Sequence, residues 1–141
     1  MISNENNGLK VSILASGSSG NVTYIESKEK KLLVDSGLSG KRVTELLKKI
    51  DRNVADLDGI LVTHEHRDHV HGVGVLARKY NLDVYANEQT WAAMSPIIGT
   101  IKTEQKYLFE MGKTMTIGDI DIESFGVSHD AIAPQFYSFH K

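Results

Sequence analysis

The run Gly59-Ile60-Leu61-Val62-Thr63-His64-Glu65-His66-Arg67-Asp68-His69 joins a continuous apolar strand to four potential metal ligands within six residues. Gly59 to Thr63 has the composition of a buried strand, and it ends directly on His64. Imidazole and carboxylate are ligands that suit Zn²⁺, Mn²⁺ or Fe²⁺. His64 and His66, two apart at a strand end, are expected to point the same way and share one metal. Asp68 and His69 follow as the chain turns into a helix, so they are expected to begin a second site. A two-metal centre, with a bridging water that becomes hydroxide near neutral pH, is therefore reachable from one loop. A single His at a strand end is ordinary polar surface, whereas three His and an Asp in this setting have little use without a metal.

Outward from the cluster, strands come first and helices interleave later. Lys10–Ala15, Val22–Glu26 and Lys31–Asp35 read as strands, with the small-residue turn Ser16 to Asn21 between the first two. Ser39 is placed to cap a helix whose buried face is Val43, Leu46, Leu47 and Ile50. After His69, the positions Val73, Leu76, Ala77 and Tyr80 repeat the helical spacing. Asp83–Ala86 reads as a brief strand, and Asn87 as the cap of a short helix reaching Met94, with Pro96 to Lys102 irregular. Strands are expected around Tyr107–Phe109 and Thr114–Val127, the latter broken by a Gly118-Asp119 turn, and over Gln135–His140. Apolar runs buried on both faces predict an α/β sandwich in one domain spanning residues 1–141. The last strand stops at Lys141 without a turn or polar tail, which reads as a cut through an element and a domain truncated at its C-terminus.

Composition narrows the class. With 141 residues, 40% of them hydrophobic, the chain suffices for one ordinary core. There is no cysteine, which excludes disulfides and thiolate metal sites, so any metal must be held by His and carboxylate. A polar N-terminus, Met1 to Asn7, does not read as a signal peptide, and no apolar run approaches a membrane span. A cytoplasmic protein without membrane association is the expectation. The net charge of −2 announces no general basic field, yet half of the 16 Lys and Arg fall between Lys28 and Arg52. That stretch reads as a solvated helix face, with a phosphate-tracking surface as the alternative.

The motif Thr63-His64-Glu65-His66-Arg67-Asp68-His69 resembles the HxHxDH signature of the metallo-β-lactamase superfamily. Leu32-Leu33-Val34-Asp35-Ser36-Gly37 resembles its first motif and Val127-Ser128-His129-Asp130 its third. Ala15 to Asn21, His71-Gly72 and Ser128 to Ala131 narrow the resemblance to the YycJ (WalJ) branch of Gram-positive bacteria, whose members are DNA exonucleases or phosphodiesterases. The resemblance covers about residues 9 to 140 and implies the αββα sandwich of that superfamily, here incomplete: a first half plus the start of the second. It implies that His129 joins His64 and His66 on one metal, that Asp68 and His69 begin the second, and that Asp35 supports the loops by hydrogen bonding. The fourth-motif Asp that bridges the metals and the fifth-motif His are not found in this chain. Two divalent ions, zinc or manganese, are thus expected in a complete site, with a full ligand set here for one only.

The expected function is that of a metal-dependent hydrolase attacking phosphodiesters of nucleic acid through a metal-bound hydroxide, an exonuclease-like phosphodiesterase, with Asp68 also orienting the hydroxide. The alternatives are a carbonyl hydrolase, thioesterase or lactonase, of the same fold, and a catalytically inert fragment. An uncovered sheet face is expected to expose an apolar patch and to favour self-association. Ser18 and Asn21 are candidates to border the site, although the turn that carries them lacks a P-loop Lys and need only be a tight connection. Arg67 points either to a phosphate or to solvent; His71 is expected to face away, and Trp91 and Met94 to belong to the core.

Overall fold

The computed structural model describes residues 3–4, 8–126 and 134–141. The third-motif residues Val127 to Asp130, His129 among them, and most of the N-terminal segment Met1 to Asn7 lie outside the described residues. Seven strands form one mixed sheet in chain order: β1 (Ser3–Asn4), β2 (Lys10–Ala15), β3 (Val22–Glu26), β4 (Lys31–Ser36), β5 (Gly59–Leu61), β6 (Asp83–Ala86) and β7 (Lys106–Leu108). β1 to β4 pair antiparallel, and β4 to β7 pair parallel. The parallel strands are linked by α1 (Gly40–Lys49), the single turn α2 (Arg67–Val70), α3 (Val73–Tyr80) and α4 (Glu88–Ile98). A second, antiparallel sheet holds β8 (Thr114–Ile117), β9 (Ile120–Gly126) and β10 (Gln135–His140), with β9 in the middle.

The continuous apolar strands are explained by two cores, one on each face of the first sheet. Leu33, Ile60, Val62, Val84 and Ala86 face the helices and meet Val43, Leu47, Leu76, Ala77, Met94 and Ile98. Their neighbours Leu32, Leu61 and Tyr85 face the second sheet and meet Ile117, Ile120 and Ile122. A period of two with apolar residues in both phases is what a strand buried on both faces requires. The described chain thus builds three layers, helices on sheet on sheet. The far face of the second sheet points to solvent: Asp121, Glu123 and Phe125 alternate along β9, and its apolar content there is the pair Phe125–Phe136, ring centroids 6.2 Å apart.

The expected caps are in place. The Ser39 hydroxyl accepts from the Arg42 amide at 3.2 Å, and the Asn87 side chain accepts from the Thr90 amide at 2.8 Å. One boundary differs: α4 runs through Pro96 to Ile98 rather than ending near Met94. Pro96 removes only the hydrogen bond to the Ala92 carbonyl, which lies on an exposed face where water can accept that role. Burial of Ile98 beside Met94 favours the extra turn, and Gly99, at φ +79°, ends it.

At the end where β3 stops, three side chains close a compact network. Glu26 accepts from the Tyr24 hydroxyl at 2.5 Å and from Arg52 at 2.5 Å (Nε) and 3.2 Å (Nη2). Burial acts to raise the Glu26 pKa, but the hydrogen bonds from Arg52 and Tyr24 outweigh it and hold the carboxyl below its ordinary value. Two residues of the basic stretch are thereby assigned: Arg52 to this ion pair, and Lys30 to a packing contact over the Gly118 turn. Among the described residues no helix is long and apolar enough to cross a membrane.

Candidate metal centre

At the opposite end of the strands, next to the last residue of β4, stands Asp35, whose φ of +64° places it in the left-handed region. Asp tolerates this conformation better than most residues, and here it turns the carboxylate toward the loop after β5. Asp35 is nearly buried and accepts three hydrogen bonds. The Thr63 amide donates to Oδ1 at 2.8 Å, the Thr63 hydroxyl to Oδ2 at 2.7 Å, and His69 Nδ1 to Oδ2 at 2.6 Å. Because the one hydroxyl proton of Thr63 goes to Asp35, Thr63 Oγ1 can only accept from His64 Nδ1, 2.9 Å away. Both Nδ1 atoms therefore carry the proton, and both Nε2 atoms keep a lone pair. A carboxylate that fixes histidine tautomers in this way is the arrangement metal-ligating histidines use.

The two imidazoles lie close, ring centroids 3.8 Å apart, and the His66 ring meets His64 edge-on at 4.6 Å. His66 is the outermost, 66% exposed, with Nε2 3.4 Å from Glu65 Oε2. Asp68 Oδ2 stands 3.7 Å from His69 Nε2. Burial lowers the pKa of His64, helped by the neighbouring His69. Burial also acts to lower His69, but the hydrogen bond and charge of Asp35, with Asp68 and Glu65 behind it, carry it above its ordinary value. Among the described residues no three His, Asp or Glu side chains close on a common point. The described donors instead close only in pairs: His64 with His69, His64 with His66 at a longer distance, and Asp68 with His69. Their chemistry, neutral imidazole nitrogens and a carboxylate held by second-layer hydrogen bonds, fits divalent cations such as zinc.

The turn from Ser16 to Asn21 closes one side of this loop. Asn21 binds Asp68 through both backbone and side chain, and Gly37 donates to the Asn21 carbonyl at 2.9 Å. A Cβ on Gly37 would collide with the Asp68 carbonyl, so the strand must pass here as bare backbone. Ser18 is exposed at the tip of the turn. Asn21 itself faces inward.

The second sheet holds the other side. The Gln135 amide donates to the Thr63 carbonyl at 2.8 Å, and the Tyr137 hydroxyl to the Val62 carbonyl at 2.6 Å. Burial raises the Tyr137 pKa, so it remains a donor at neutral pH. The Gln135 side chain, fully buried, bonds Phe109, Tyr137 and Asn87. Gly126 and Gln135, which flank the segment containing His129, pair with each other across β9 and β10. Thr63, Gln135 and Tyr137 escaped the sequence reading: their motif neighbours drew attention, and no local pattern marks a tie made across 75 residues. His71 is exposed and outside the donor pairs, Arg67 is exposed at the start of α2, and Met94 is core while Trp91 packs at its margin, donating to the Tyr107 carbonyl at 2.9 Å.

Residues 15–132 match the family model described as "Metallo-beta-lactamase superfamily". The chain is 68% identical over 136 residues to a protein named "Exodeoxyribonuclease WalJ" from Streptococcus pneumoniae serotype 2 (strain D39 / NCTC 7466), covering 95% of this chain and 51% of that protein. It is 61% identical over 133 residues to "Exodeoxyribonuclease YycJ" from Bacillus anthracis, covering 94% of this chain and 50% of the relative. The chain thus spans about half the length of the curated relatives it matches. Among solved structures, "Rm3 metallo-beta-lactamase" superposes with a TM-score of 0.76 at 17% identity, over 94% of this chain and 54% of the other. At that identity the likeness shows the fold alone.

Proposed function

The chain belongs to the metallo-beta-lactamase superfamily, and from that premise we propose that it carries the metal-binding half of a phosphodiester hydrolase acting on nucleic acid, as an exonuclease does. The observation that carries this reading is the Asp35–Thr63 hub, which engages the His64 and His69 rings through Nδ1 and leaves Nε2 as the electron-pair donor of each, that of His69 beside Asp68. The names of the two close relatives supply the substrate class. His64, His66 and His129 would hold one cation, and Asp68 with His69 would begin the site of a second. Divalent cations, zinc or manganese, would supply Lewis acidity there, neutralising charge on phosphoryl oxygens and lowering the pKa of water.

The chain's own residues do the rest. Asp35 receives the Nδ1 protons' hydrogen bonds directly from His69 and through Thr63 from His64, which keeps both rings oriented. Asp68 is the group placed to accept a proton from the attacking water and to aim it at phosphorus. Ser18, at the exposed tip of the 16–21 turn, borders the approach and offers a hydroxyl to a phosphate oxygen. A cytoplasmic location, where the genome is the substrate, agrees with this chemistry.

The test supplies 5′-phosphorylated duplex DNA to the metal-loaded protein with Zn²⁺ or Mn²⁺, beside a thioester and a lactone. Release of nucleotides is expected. Turnover of the thioester or lactone with DNA left intact would move the reading to a carbonyl hydrolase, and no turnover of any of the three would reduce it to a metal-binding fragment.

A further inference from the structure

We propose that Asn21 is a positioning residue for the second cation site, holding Asp68 and His69 in place while locking the Ser/Gly turn against them. This rests on the metal-site reading above and concerns a side chain that the reading leaves unassigned. Its carboxamide is fully committed. Oδ1 accepts from the Gly17 amide at 3.1 Å, and Nδ2 donates to the Gly17 carbonyl at 2.8 Å. The second hydrogen on Nδ2 faces three acceptors of the metal loop: the Asp68 carbonyl at 3.2 Å, Asp68 Oδ2 at 3.2 Å and His69 Nε2 at 3.3 Å. The Asn21 amide adds a bond to the Asp68 carbonyl at 2.8 Å, and the Asn21 carbonyl takes the Gly37 amide. One residue thus ties three segments, the 16–21 turn, the end of β4 and the start of α2.

The chemistry explains why Asn occupies this place. Oriented by Gly17, the amide can present only a donor to Asp68, so it favours a carboxylate there and fixes the direction of its remaining lone pairs, while its contact with His69 Nε2 is one that a bound cation would replace. An Asp at position 21 would keep the bond from the Gly17 amide but would set a second negative charge against Asp68 and lose both donations. An Ala would lose all of them. A side chain serving only to close the turn would be replaced in part by Asp, which keeps the bond from the Gly17 amide; one serving to position Asp68 would not.

The experiment measures cation affinity by chelator competition, with Zn²⁺ and Mn²⁺ as probes, on wild type, Asn21→Ala and Asn21→Asp. Metal-free thermal midpoints are recorded alongside. The expected result is that one cation per chain binds as in wild type, while affinity for the next falls about 10- to 100-fold in Asn21→Ala. Where hydrolysis is measured, kcat falls by the same order and KM stays within about threefold. Affinity within twofold of wild type in both variants would overturn the proposal, as would a loss confined to KM, which would make Asn21 a substrate contact. A loss in Asn21→Ala that Asn21→Asp restores would reduce its role to closing the turn. Because affinity is read without any substrate, these outcomes stand apart from failure of the nuclease reading itself.

Discussion

Glu26, at the end of β3, and Asp35, near the end of β4, lie at opposite ends of one antiparallel strand pair, and each anchors a hydrogen-bonded cluster. Glu26 is answered by Arg52, a permanent cation, and by a Tyr hydroxyl. Arg52 Nε and Nη2 go to the carboxylate and Nη1 to the Ile50 and Asp51 carbonyls, so the cluster is closed and its charges are paired. Asp35 is answered by Thr63 and by two imidazoles that reach it through their inner nitrogens only. The outer nitrogen of His69 is left beside Asp68, and no Arg or Lys answers this cluster among the hydrogen bonds of the described residues. The same element, a carboxylate at a strand end, gives a staple when its partner is Arg and, in the function proposed above, a support for a cation site when its partners are His.

Substitutions can break that contrast, and the largest effect is expected at Asp35. Asp35→Asn presents an N–H to His69 or to the Thr63 hydroxyl, two donors meeting, and forces a ring into the other tautomer. Affinity for Zn²⁺ should drop on the order of 100-fold, read by chelator competition. Arg52→Ala tests the other end. It strips charge-assisted hydrogen bonds from a carboxylate only 12% exposed, so denaturant unfolding should show a loss of about 2 kcal/mol, with cation affinity unchanged. A change in affinity there would show that the two ends are not independent.

Smaller effects sharpen the comparison. Thr63→Val keeps the backbone donation to Asp35 but removes the relay to His64, and should weaken cation binding about 10-fold, with Thr63→Ser restoring it. In the metal-free protein the two clusters should respond to pH in opposite senses. His69 is raised by its carboxylate neighbours, so its contribution is complete below the ordinary His range and is lost as pH rises through its folded pKa. Glu26 is lowered, so its contribution is present above the ordinary carboxylate range and is lost as pH falls through its folded pKa. Thermal midpoints across pH for His69→Ala and Glu26→Gln, each against wild type, check both slopes.

The sequence carried the elements whose causes are local. Ser39 and Asn87 cap helices through amides three residues on, and doubly buried strands such as Leu32–Val34 declare themselves by unbroken apolarity. The cluster from His64 to His69 stood out as a group because all of it sits within one loop. Asn21 was only placed near the site, since its partner Asp68 lies 47 residues away and a Ser/Gly-rich turn looks the same whether or not it is tethered. Gln135 and Tyr137 carried no signal at all; a buried Gln in a strand resembles an ordinary strand polar residue until its partners are known. The α4 boundary was misjudged because Pro96 outweighed Ile98 in the local pattern, whereas burial of Ile98 prevails in the fold.

The hooks from Gln135 and Tyr137 onto the carbonyls of Thr63 and Val62 also set an order in time. The loop that carries the proposed cation donors is complete in the chain by His69 and is pinned by Asp35 and Asn21 before it, but its last ties come from a strand about 70 residues later. Closing so long a loop is slow compared with forming α1 or the β2–β3 hairpin. These ties are thus expected to close after the helical core around Leu47 and Leu76. A cation that binds the finished arrangement acts as a latch on the last step rather than as a seed for the first.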